Sequence, residues 1–495
     1  MPPGATASRF ALQRYRTRLL VARLSIGRPR TLELVNLALA IVGAWSVIYQ
    51  IVKLILPDGA TGIGLTLAGA GAGMVVLTMI WLRLTRRPQD LFRSAAVSED
   101  RAEALRRLMV EGMTHDVAYD NLARLYAPVV RQVKQILPST LVSWPTDVDG
   151  KPCLVLTIAP RGPQRLDSII KDIEDLRDTE WTTRVSRFAS ERQAYMATLR
   201  RSVSLSNKFG DEAGSNIVLA NIDAEPDLTM SVNTATYGQI MRTSDSLVNE
   251  FALFASHAYR SAFRRKPRPL TFRENDLLKV LPWRRQVHSW DNVEALLVAP
   301  RRRAAGVGVS LSLIDVHDER AAVFAARRSS NVGTYPDVLH VVPSGMMNVH
   351  GDLRHGKDDL AALPRLAMMS EFLEECLDIA ELSGHSAVNF SQRVAEKIDE
   401  LQLNDLEPGF TGFAIDLLNL RTDVCGVMDL TGRRSLLDAF NLSWEYTHTE
   451  RLRRIDISAA PLGVRRTDFV QSGIGSIHLA ALWLAAQRSS SAGSR

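Results

Sequence analysis

The chain has 495 residues, 46% of them hydrophobic, and a formal net charge of +6; that length holds two or three domains. The basic excess lies in residues 1–30, where Arg9, Arg14, Arg16, Arg18, Arg23, Arg28 and Arg30 stand without an acid, so the remainder is near neutral and nucleic acid is an unlikely partner. Cys153, Cys376 and Cys425 are far apart and fit no CxxC or Cys/His spacing, which gives no ground for a disulfide framework or a zinc site and suits a reducing, cytosolic setting.

Beyond the basic arm, residues 31–87 read as a transmembrane hairpin. The stretch 34–56, LVNLALAIVGAWSVIYQIVKLIL, is interrupted by Asn36, Gln50 and Lys53 only, and 62–82, GIGLTLAGAGAGMVVLTMIWL, carries no charge. Each reaches the roughly 20 apolar residues that a spanning helix needs. Pro57-Asp58-Gly59-Ala60-Thr61 supplies the turn between them, Lys53 can snorkel to the interface and Trp81 sits where an interfacial anchor belongs. Arginines precede the first span, and Arg83, Arg86 and Arg87 follow the second, so both termini are expected in the cytoplasm. A cleaved signal peptide would have a shorter apolar core. Gly69 and Gly73 form a GxxxG pair that could pack the hairpin on itself or join copies into a homo-oligomer.

Residues 88–138 read as a helical connector, with Leu105, Leu108, Met109, Val117, Leu122, Leu125, Val129, Val133 and Ile136 at helical spacing, a break near Gly112 and Thr114, and a stop at Pro138. The region 139–270 reads as α/β without assigned chemistry: a strand at 154–158 after an Asp149-Gly150 turn, a solvated helix at 164–178, strands at 216–222 and 227–232, and a helix at 237–262. Arginines and a lysine crowd 264–303, namely Arg264, Arg265, Lys266, Arg268, Arg284, Arg285, Arg301, Arg302 and Arg303; such a run is a solvated surface or a site for phosphate or lipid headgroups. From 306 the pattern is strand, turn at 317–320, strand, a further strand VLHVVPSG at 338–345, a loop, a helix at 366–382, strands at 411–420 and 424–430, and a closing helix at 476–487 before a Ser-rich tail that ends in residues 491–495, expected to be disordered.

The chemistry-bearing element is the strand that closes on Pro343-Ser344-Gly345 together with the helix that carries Glu371, Glu374 and Glu375. Helix positions i, i+3 and i+4 share a face. Three carboxylates there make a hard-oxygen cluster suited to Mg²⁺, with Mn²⁺ as the alternative. Such an ion can bridge a diphosphate and activate water. Gly345 would let the backbone pass close to that site, with Ser344 beside it as a second ligand contact. The same triad also reads as a solvated acidic face. His340 and His350 flank the turn as polar filler or site groups, and neither GxSxG nor HExxH occurs.

On these residues the region 271–490 resembles the Nudix superfamily. Gly345 matches the opening glycine of its signature, and Glu371-Phe372-Leu373-Glu374-Glu375 matches its Glu-hydrophobic-x-Glu-Glu core; the likeness is closest to a divergent bacterial branch with a PxG…EFxEE pattern and a long insertion. The chain departs from the signature at Gly351, where a spaced Glu is expected, at Ser370, where an Arg orients the helix carboxylates, and at Leu377, where a second Gly belongs. Asp352, His355, Asp358 and Asp359 in the long loop could supply the missing group. The resemblance implies a mixed-sheet α/β/α sandwich. It implies metal ligation by Glu371, Glu374 and Glu375, and diphosphate hydrolysis with Glu371 and Glu375 as catalytic groups. The expectation is therefore a membrane-anchored, cytoplasm-facing protein that binds a nucleoside diphosphate-linked molecule and either hydrolyses it with Mg²⁺ or senses it without turnover. A structural membrane-assembly module is the remaining class.

Overall fold

The computed structural model describes residues 116–173, 215–263 and, with short interruptions, 277–492. The basic arm, the spans at 34–56 and 62–82, the Gly69/Gly73 pair, and the loop residues His350, Gly351, Asp352 and His355 lie outside the described residues. Among the described residues no helix is long and apolar enough to cross a membrane. All of them belong to one unit, residues 105–495.

The first described element is helix α1 (Asp116–Ile136). Its Tyr119, Leu122, Tyr126 and Val133 are buried, and it ends before Pro138, which cannot continue a helix. Strands β1 (Leu141–Ser143) and β2 (Val155–Ala159) follow. Between them Asp147 closes a turn by accepting the Asp149 and Lys151 N–H groups at 3.1 and 2.9 Å. Strands β3 (Ile170–Ile173), β4 (Ser215–Asp223) and β5 (Thr229–Ala235) come next. Then come helices α2 (Tyr237–Ile240), α3 (Ser246–Phe263) and α4 (Pro282–Trp290). The remaining strands are β6 (Val307–His317), β7 (Arg320–Arg327), β8 (Leu339–Val341), β9 (Ser344–Met346), β10 (Asn348–Val349), β11 (Gly409–Asp416), β12 (Thr422–Asp429) and β13 (Arg453–Asp456). Helices α5 (Lys357–Glu371), α6 (Phe390–Glu400) and α7 (Arg434–Asp438) are interspersed among them, and α8 (Gln471–Ala492) closes the fold.

The main sheet is mixed, in the order β1-β2-β11-β12-β6-β7-β13, with β8 on β7 and β9 on β6. Its neighbours are antiparallel except β12 and β6, which run parallel with Thr422 opposite Val307. β6 and β12 are buried over most of their length, so both sheet faces must be covered. Gly426 lies under Met368 of α5, while its neighbour Cys425 points the other way into the core beneath Ile474 and Ile477 of α8. Gly475 lets α8 approach Ala414 and Val155. The architecture is thus mixed α/β with helices on both faces.

A smaller sheet, β10-β4-β5-β3, joins the first where Leu219 N–H meets the Ala305 carbonyl at 2.9 Å and Ile217 N–H meets that of Met347 at 2.8 Å. The structure departs from the sequence expectations at several points. The described part of the helix expected at 164–178 is instead a 3₁₀ turn (Leu166–Ser168) and strand β3, because Ile169 and Ile170 are buried and pair beside β5. The strand 338–345 divides into β8 and β9, which pair with different neighbours. The helix at 366–382 begins nine residues earlier, at Lys357, and gives way at Glu371 to a π turn, Phe372–Cys376. The region 139–270 shares its sheet with the region after it, since β2 pairs with β11. The tail expected from 491 is helical to Ala492.

Candidate functional site

The π turn divides the three glutamates. Phe372, Leu373 and Cys376 are buried and anchor it in the core, and a π turn spaces its residues differently from the α-helical rows that would align i, i+3 and i+4. Glu371, at the end of α5, lays its carboxylate against Gly345, where any Cβ would overlap it. Glu375 is buried; its Oε2 accepts the Ser344 N–H at 2.7 Å and the Tyr446 hydroxyl at 2.9 Å. Glu374 is half-buried and accepts the Ser370 hydroxyl at 2.8 Å, one turn back.

The motif is thus brought together in part. Glu371 and Glu375 meet adjacent residues of β9, as a Gly-containing strand against a glutamate helix predicts, and Glu374 is held elsewhere. Ser370, at the expected arginine position, bonds Glu374, and Tyr446 takes the orienting contact to Glu375. Leu377 precedes Asp378, where the chain reverses with φ of 52°, a conformation that Asp tolerates better than most residues. The segment after α7 hangs on the same turn, with Ser443 N–H on the Glu375 carbonyl at 3.1 Å and Asn441 N–H on that of Cys376 at 2.8 Å. Among the described residues no group of three or more His, Cys, Asp or Glu side chains is placed to hold a metal ion. A divalent cation needs several oxygens around one centre; in this arrangement Glu375 is engaged by Ser344 and Tyr446 and Glu374 by Ser370.

Ser344 contributes its backbone to the glutamates. Its side chain stands on the other sheet face, opposite Ser310 in the β6–β9 register, and its hydroxyl is buried without a partner among the described residues. His340 is buried, with Nδ1 2.9 Å from the Val341 carbonyl oxygen, and burial pushes its pKa down to about 3; it is a neutral core group. Asp358 and Asp359 fall on the first turn of α5.

The basic run resolves differently from either of its readings where it is described. Arg284 and Arg303 are buried. Glu250 caps α4 by accepting the Trp283 and Arg284 N–H groups at 2.6 and 2.9 Å. The Arg284 guanidinium then donates to the Tyr126 hydroxyl at 2.6 Å, to the Leu417 carbonyl at 3.0 Å and to the carbonyl of Leu418. Arg303 donates to the carbonyls of Leu296 and Leu420. These cations satisfy main-chain oxygens of the β11–β12 turn and are not presented to phosphate. Only Arg285 of the pair at 284–285 is exposed.

Two polar centres escaped sequence reasoning. The first joins Asp245, Asp416, Asp423, Arg421, Tyr335 and Ser310 at one end of the main sheet; an Asp inside the apolar run FAIDLLNL was its one signal. The second is Arg466, fully buried, whose guanidinium donates to Asp116 and Asp120 of α1 and to the Pro152 carbonyl, with its Cζ 5.8 Å from the Tyr119 ring centre.

No family model matches this chain, and no curated protein matches it.

Proposed function

We propose that this is a membrane-anchored protein, facing the cytoplasm, whose Nudix-like domain binds a nucleoside diphosphate-linked ligand and signals its presence to the N-terminal hairpin without turning it over. The observation that carries this reading is the strand–helix contact at 344–345. Glu371 lies against Gly345 and Glu375 accepts from Ser344, which supports a site built where this strand meets this helix. Glu375 serves as a structural tie and Glu374 is turned to Ser370, an arrangement suited to holding a ligand more than to assembling Mg²⁺ or Mn²⁺ for hydrolysis. Gly69 and Gly73 would let the hairpin pack closely on itself or on a second copy.

The test uses full-length protein in detergent with Mg²⁺ and a panel of dinucleotides and nucleotide sugars, read by thermal stabilisation and by chromatography of the nucleotides. Stabilisation by one member without product is the expected outcome. Turnover that disappears in Glu375→Gln would replace sensing by hydrolysis. The lack of any stabilisation would remove the nucleotide reading and leave a structural role in membrane assembly.

A further inference from the structure

We propose that Asp245, Asp416, Asp423 and Arg421 form a proton-linked latch on the 416–421 turn, closed when the cluster holds a proton and loosened when it releases it. The inference stands independently of the nucleotide reading.

Two buried acids, Asp245 and Asp423, act on the Arg421 guanidinium, and a third, Asp416, lies within the influence of Asp423. Asp245 is 0% exposed, Asp416 1% and Asp423 8%. Arg421 donates to Asp245 Oδ1 at 3.2 Å and packs its other terminal nitrogen on Met346. Asp245 Oδ2 is buried without a partner among the described residues. Asp423 accepts the Ser310 hydroxyl at 2.9 Å and presses on Gly308, where a Cβ would lie 2.6 Å from Oδ1. Asp416 accepts the Tyr335 hydroxyl and, at 2.7 Å, the Leu418 N–H; both donors are neutral. With every acid ionised, Arg421 would answer Asp245 and Asp423, and Asp416 would add an anion beside Asp423 with neutral donors alone, where an uncompensated charge is costly.

The groups facing Asp416 come from every side. Helix α1 offers Tyr119 and Tyr126, β12 offers Asp423, and Tyr335 carries the influence of Asp245. Arg284 of α4 reaches Tyr126 rather than the carboxylate, and Arg466 and Cys153 act on Tyr119. Burial, with Asp423 adding to it, pushes the Asp416 carboxyl up to about 7 against its hydrogen bonds. Burial likewise raises Asp245 despite Arg421.

The turn governed by this cluster is a joint. Asp416 N–H bonds the Arg421 carbonyl at 2.9 Å, and the Asp416 carbonyl accepts Leu420 N–H at 2.7 Å. Arg284 binds the next two carbonyls, and through Tyr126 and the Leu247 carbonyl it reaches α1 and α3. An ionised Asp416 puts a second negative charge beside Asp423 at the point where these helices are fastened.

Hydrogen exchange of the full-length protein in detergent, corrected for intrinsic exchange, tests this. An acid whose pKa is higher in the closed state than in the open one loses protection as pH rises. Amides of 416–421 should therefore lose up to about tenfold protection per pH unit from about pH 4 to about pH 7 and level off above. Asp416→Asn should flatten this dependence. Asp423→Asn, which removes the neighbouring charge, should move the levelling point to lower pH. An unchanged slope in Asp416→Asn overturns the proposal; if that variant does not fold, an unmoved levelling point in Asp423→Asn does so.

Discussion

At the scale of single residues, Glu375 separates a structural from a chemical role. Glu375→Gln keeps an oxygen to accept from Ser344 and Tyr446, so its expected cost is about 1 kcal/mol or less, whereas Glu375→Ala orphans a buried N–H and a buried hydroxyl and should cost about 2–4 kcal/mol. Calorimetry of both variants reads the difference; equal costs would mean that the two hydrogen bonds do not hold the turn. Gly345→Ala should cost about 1–3 kcal/mol by forcing the Glu371 carboxylate aside. Most of that loss should vanish when Glu371→Ala is present, because the two sites share one contact. An undiminished loss in the double variant would place the strain elsewhere.

At the scale of elements, the β11–β12 turn depends on cations supplied from far along the chain. Arg284→Met should cost about 3–5 kcal/mol in urea unfolding, since it leaves the Leu417 and Leu418 carbonyls and the Tyr126 hydroxyl underserved in the core. Arg285→Ala, on the exposed side of the same helix, should stay within about 0.5 kcal/mol. A comparable loss in both would contradict the clamp. Elements of this kind mark the boundary of what the sequence discloses. The long strands β6, β7, β11 and β12 were legible as short apolar runs, β6 and β7 with an evident turn between them. Helix α8 was legible from its apolar run. The π turn was not, since FLEECL satisfies α-helical spacing equally well, and only the burial of Phe372, Leu373 and Cys376 decides the geometry. Arg284 and Arg303 were opaque for a related reason: nothing local to an Arg-rich run says which guanidinium will find carbonyls in the interior. The contact of Glu371 and Glu375 with residues 344–345 was foreseeable from the motif, and the part played by Tyr446 was not, because it arrives from a segment with no recognisable pattern.

At the scale of the whole molecule, the buried His340 and half-buried His288 pull stability against the buried acid as pH changes. Burial, reinforced by Arg284, lowers His288 to about 3, and burial lowers His340 to about 3. Both are neutral in the fold and take up protons on unfolding below about pH 6.5. Their contribution is complete above that value and is lost as pH falls towards 3, at up to roughly 2.7 kcal/mol per pH unit for the pair. Asp416, raised to about 7, opposes them with a single proton over about pH 4 to 7. Global stability by urea unfolding should therefore fall from about pH 6.5 to about pH 5, and His340→Gln should remove about one proton's worth of that slope; a flat profile would place both imidazoles in contact with water. The main sheet carries a further consequence, for synthesis. Ile158 pairs with Phe413, and the Leu154 N–H waits for the side chain of Gln471 at 2.7 Å. Strands made in the first third of translation have no neighbour on one edge until the last third leaves the ribosome. The growing chain would hold that open edge for about half of its synthesis, a period in which a chaperone or a slowed ribosome would matter more to yield than any contact in the finished fold.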